Sequence, residues 1–122
     1  MDLEATLRKL AIRDDAFIES VLAREQGNET TSKLNAKHHA LVRIAALVAV
    51  DAAPPSYMAS VEDGLAAGLT RDEMAGTLVA VMPVVGVARI VSAAPKLGLA
   101  LGYDVAHALE EMGPTDLWDS HR

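Results

Sequence analysis

The 122-residue chain contains no cysteine. Disulfides, thiolate metal ligation and thiol redox chemistry are therefore excluded. Aromatic residues make up only 3% of the chain while hydrophobic residues reach 51%, so its apolar content is Ala, Val and Leu rather than large rings. Small side chains allow close approach, and the composition predicts tightly packed helices. There is no basic cluster interleaved with aromatics, and a net charge of −6 offers nothing to a polyanion, so nucleic acid is not an expected partner. The longest uncharged run, Met74–Ala88, is interrupted by Pro83 and Gly86 and is too short to span a bilayer. The opening MDLEATLRKL has no basic stretch followed by an apolar core. The expectation is a cytoplasmic protein without a secretory signal or membrane partner.

What the chain does contain is apolar surface in excess of what one small domain can hide. Its mean hydropathy is +0.19, and a single domain of this length has little interior. Part of that surface is expected to face other copies of the chain, making the protein an obligate homo-oligomer.

Helical periodicity marks the elements. Residues 3–11 and 14–25 read as two helices, with Asp14 capping the second. Gln26–Lys33 (QGNETTSK) reads as a polar loop. Asn35 is a candidate N-cap for a helix to about Val50, with Leu41, Ile44, Ala45, Leu47 and Val48 as its apolar stripe. His38, His39 and Arg43 lie off that stripe. Pro54 stops this helix, and Pro55 suits the first position of the next, which runs to Ala67 before Gly68. Thr70 and Glu73 form a capping box for a helix over about 71–82, ended by Met82-Pro83. A last helix is predicted from about Val85–Val87 past Tyr103 towards Met112, kinked or interrupted at Pro95. Gly98 and Gly102 on it would allow close packing. The tail TDLWDSHR is polar apart from Leu117 and Trp118, and a lone tail tryptophan more often docks on protein than takes part in chemistry.

The segments LNAKHHALVRIAALVAV, AAGLTRDEM and Val-Gly-Val-Ala-Arg, within residues 34–89, resemble the carboxymuconolactone decarboxylase family, which includes the alkylhydroperoxidase D-like proteins. The resemblance spans a little under half of the chain. It implies one domain over 1–122 with its core at 34–112. The implied fold is an all-α, alkylhydroperoxidase D-like bundle of about five to six helices, assembled as a trimer or hexamer.

The family's chemistries can be set against this chain position by position. The peroxidase branch carries Cys-x-x-Cys-x-x-x-His, and those positions fall on Ala53, Ser56 and Ser60. A serine without an adjacent base gains none of the activation that a helix N-terminus gives a cysteine. The carboxylate that this branch uses on the preceding helix is missing, since no acidic residue lies between Asn35 and Asp51. Thiol peroxidase activity is rejected. The decarboxylase branch places a histidine at the position of Ser60, and that histidine is also absent.

The remaining candidates implied by the resemblance are His39, His38 and Ser60 for acid–base chemistry, with Arg89, Ser56 and Tyr57 for binding a small carboxylic acid or lactone. A salt bridge from Arg89 to Glu62, Asp63 or another subunit is its structural alternative. His107 is read as an electrostatic cap of the last helix. No cofactor is expected. No metal is expected either, because adjacent histidines diverge by about 100° around a helix. Two readings stay open: a decarboxylase-like lyase, and a non-catalytic binding or structural oligomer of the same fold.

Overall fold

The computed structural model of the chain describes residues 2–23, 28–103 and 105–112. Every regular element among them is an α-helix, in the order α1 (Leu3–Ala11), α2 (Asp15–Leu22), α3 (Glu29–Ser32), α4 (Ala36–Ala49), α5 (Pro54–Ala66), α6 (Arg71–Val85), α7 (Val87–Ala100) and α8 (Val105–Glu111). The all-α class is as expected, and the helices outnumber the five to six anticipated. No helix among the described residues is long and apolar enough to cross a membrane.

The additional helices have local causes. QGNETTSK is not wholly irregular, because α3 makes one turn that ends on Lys33 in the left-handed region (φ 63). The predicted continuous last helix stops at Ala100. Gly102 adopts φ +90, Tyr103 N–H bonds the Gly98 carbonyl at 2.8 Å, and Gly102 N–H bonds that of Leu99 at 3.0 Å. This paired closure is a Schellman ending, so Gly102 terminates α7 instead of packing along it. Gly68 closes α5 in the same way, with Leu69 N–H on the Gly64 carbonyl at 2.9 Å.

Neither internal proline breaks its helix. Pro83 lies within α6 and Pro95 within α7. Each deletes one backbone donor. The apolar contacts of Val81, Met82 and Val85 with the core carry α6 past Pro83, and Gly86 ends it. Pro54 and Pro55 both lie in the first turn of α5, where the missing N–H groups would have had no helical acceptor.

The chain divides into two compact units, Met1–His39 and Ala40–Arg122. In the first, α1 packs on α2, and Asp2 and Asp14 each accept a backbone N–H at 3.0 Å to cap these helices. The Lys9 ammonium stands 5.6 Å from the Phe17 ring centroid. Neither α1 nor α2 buries a residue.

The second unit is organised on α7, which packs against α5, α6 and α8. Its core joins Ala40, Ile44 and Val48 of α4 to Tyr57 and Val61 of α5. Met74 of α6 and Ile90, Ala93 and Leu97 of α7 complete it with Leu69. Ile44, Val48, Tyr57 and Met74 are fully buried, each contributing roughly 1.5–3 kcal/mol by leaving water. The predicted capping box holds: Thr70 N–H reaches Glu73 Oε1 at 2.9 Å, and Glu73 N–H reaches Thr70 Oγ1 at 3.0 Å.

Candidate functional site

The polar centre of the second unit forms where α4 ends. Val50 closes the helix and Asp51 takes the left-handed conformation (φ 53). Ala52 N–H bonds the Leu47 carbonyl at 3.0 Å, and Asp51 N–H bonds that of Val48 at 3.2 Å. Glycine is usual at this position. Here the residue has a carboxylate, and that carboxylate meets three side chains of α7.

Ser92 Oγ donates to Asp51 Oδ1 at 2.6 Å, and Lys96 Nζ donates to the same oxygen at 3.1 Å and to the Ala52 carbonyl at 2.9 Å. Arg89 Nη1 stands 3.5 Å from Asp51 Oδ2. Arg89, Ser92 and Lys96 are three and four residues apart in succession, which places them along one helical face. The Ser92 hydroxyl and the Lys96 ammonium, with Arg89 adding its charge, hold the Asp51 carboxyl below its ordinary range. Two cations and a hydroxyl converge on one carboxylate, an arrangement suited to holding an oxyanion. It is poorly suited to activating Ser92 as a nucleophile, because a carboxylate held so acidic is a weak base.

The candidates named from the sequence fall as follows. Arg89 pairs with Asp51, rather than with Glu62 or Asp63, because its face of α7 looks onto the α4–α5 junction. Its side chain remains 49% exposed, with exposed Val87 and Val91 to either side along the chain. Ser56 is exposed in the first turn of α5, and Ser60 is half-buried one turn on. Tyr57 is a core residue: it is fully buried, and its hydroxyl has no partner among the described residues. Burial, and then the Asp51 charge, push its pKa up.

His38 and His39 belong to the first unit. The His38 side chain is exposed, and its backbone N–H bonds Asn35 Oδ1 at 2.8 Å, the expected N-cap of α4. His39 is half-buried, with Nε2 at 2.6 Å from Asn28 Oδ1, a separation met by the ring N–H donating to the amide oxygen. His107 pairs with Glu111 one turn later at 3.1 Å.

Sequence reasoning missed Asp51, Ser92 and Lys96. Helical spacing of Ser92 and Lys96 with Arg89 was an available signal. The partner carboxylate, just ahead of the Pro-Pro pair, carries no such local signal. A cleft of about 440 Å³ also lies between α6 and α7, with Arg71, Ala75, Leu78, Ala94, Leu97 and Gly98 among its lining residues. Among the described residues no group of three or more His, Asp or Glu side chains is placed to hold a metal ion. Compared with family models, curated proteins and solved structures, the chain matches none.

Proposed function

We propose that this chain is a carboxymuconolactone decarboxylase-like helical protein that assembles as a homotrimer or homohexamer. In this reading it binds a small organic acid or lactone at Arg89, without thiol peroxidase chemistry. The observation that carries the reading is the setting of Arg89. Its guanidinium makes one long contact with Asp51, stays half exposed, and has no other partner among the described residues. It is flanked along α7 by exposed Val87 and Val91. A half-exposed cation holding unused donors suits a ligand that carries a carboxylate. The two valines project about 160° away from Arg89 around α7, and they offer apolar surface for a contact between copies.

Binding is better supported than turnover. The His39 ring nitrogen is already engaged by Asn28, and Ser92 donates to an acidic carboxylate rather than to a base. The reading is checked by following thermal unfolding in the presence of small lactones, muconate-like diacids and hydroxy acids. At least one acid is expected to raise the melting temperature of the wild-type protein, and Arg89→Ala is expected to abolish that rise. A rise that persists in Arg89→Ala, or no rise with any compound, would sink the proposal.

A further inference from the structure

Asp51 is unusual in two independent ways. Its backbone occupies the left-handed region (φ 53), where the helix-ending geometry favours glycine. Its side chain meanwhile fills a set of donors supplied entirely by another helix: Ser92 Oγ at 2.6 Å, Lys96 Nζ at 3.1 Å and Arg89 Nη1 at 3.5 Å. Without Asp51, those three groups would present two positive charges and a hydroxyl to a single point at the surface of α7. Such a set recognises a carboxylate by charge and by hydrogen bonding together.

The Asp51 carboxylate is itself partly exposed (38%) and Lys96 less so (23%), so an outside carboxylate can approach the group that it would replace. Lys96 is also anchored to the Ala52 carbonyl at 2.9 Å. That bond keeps its ammonium in position when the Asp51 side chain turns away.

We propose that Arg89, Ser92 and Lys96 form a binding cradle for small carboxylates, and that Asp51 is its built-in competitor, occupying the cradle until an external carboxylate displaces it. The proposal rests on the reading of Arg89 as an anion anchor. It adds two further ligands to that site and a side chain that limits access to it. The apparent affinity of the wild-type chain for an acid is reduced by the fraction of molecules in which Asp51 occupies the cradle.

The test is calorimetric titration with succinate, at an ionic strength held constant with chloride, of the wild-type chain and Asp51→Gly. Glycine suits the backbone conformation at this position and removes the competitor. Asp51→Gly is expected to bind succinate at least about tenfold more tightly than wild type, and adding Lys96→Ala is expected to remove the gain. An affinity that is unchanged or weaker in a helical Asp51→Gly protein overturns the proposal, as does a gain that survives Lys96→Ala. If Asp51→Gly fails to fold, Asp51→Asn decides by the same criteria, since asparagine tolerates the left-handed region and carries no charge.

The two readings fail separately. Succinate stabilisation of wild type that is lost in Arg89→Ala, with no gain in Asp51→Gly, overturns the competitor and leaves the anchor standing. A gain in Asp51→Gly with no response of wild type to any acid upholds the cradle and overturns acid binding by the unaltered chain.

Discussion

Asp51 joins two opposed effects within one residue. A non-glycine residue in the left-handed region is disfavoured relative to glycine, and the contacts of the Asp51 carboxylate with Ser92, Lys96 and Arg89 oppose that cost. Because those contacts favour the ionised form, the folded-state pKa lies below the unfolded value of about 3.9. The stabilisation is therefore present above about pH 4 and is lost as pH falls through the folded-state value. Thermal melts of wild type and Asp51→Asn over an acid series should show a wild-type advantage at neutral pH that shrinks below about pH 4. An advantage constant across the series would mean that the carboxylate contacts add nothing to stability. Little of this was legible in the sequence. A left-handed aspartate cannot be told from any other aspartate beside a Pro-Pro break, and its partners lie some forty residues away.

At the scale of the helices, α5 and α6 meet through a glycine. A Cβ at Gly64 would stand 2.8 Å from Met74 Sδ and 3.3 Å from Leu69 Cδ1, and because Met74 is fully buried its side chain must shift within a packed core. Gly64→Ala therefore sets an overpacking cost of about 1–3 kcal/mol against a helix-propensity gain of about 1 kcal/mol, and a net loss is expected. Gly76, in the middle of α6, has nothing within 4 Å of the same added atom, so Gly76→Ala should gain about 0.5–1 kcal/mol. Urea unfolding of the two variants measures the contrast, and equal effects would refute this account of the α5–α6 contact. Helix starts were well marked in the sequence, because Asn35, Thr70 and the Pro-Pro pair act through neighbours a few residues away. Helix ends were misplaced at Pro83 and Gly102. There, packing against α7 and the sign of a backbone angle decide the outcome, and neither is written in local composition.

The second unit leaves a run of valines in water. Val79, Val84, Val87 and Val91 are 72%, 86%, 64% and 67% exposed. Val79 lies midway along α6 and Val84 at its end, and Val87 and Val91 lie in the first half of α7. Contact between copies through this region is the expected consequence, provided that it covers an area of the order of 1,200–2,000 Å². Light scattering on the purified chain should give a multiple of the protomer mass, and Val84→Glu should lower that mass while helicity is kept. An unchanged mass in Val84→Glu would remove this face from the assembly, and a monomeric wild type would remove the assembly itself. The excess of small apolar residues raises that expectation from composition alone. The particular face was not legible, since valines that are buried and valines that are exposed recur with the same helical spacing.

The scarcity of aromatic rings has an optical consequence. Among the described residues, Tyr57 is the one aromatic side chain in the core of the second unit, and Tyr103 is exposed; the single tryptophan, Trp118, lies outside the described residues. Near-ultraviolet circular dichroism of the packed core is therefore essentially the signal of one tyrosine, held in an asymmetric apolar environment with no solvent at its hydroxyl. Tryptophan emission, the usual monitor of unfolding, reports on Trp118 and not on Tyr57.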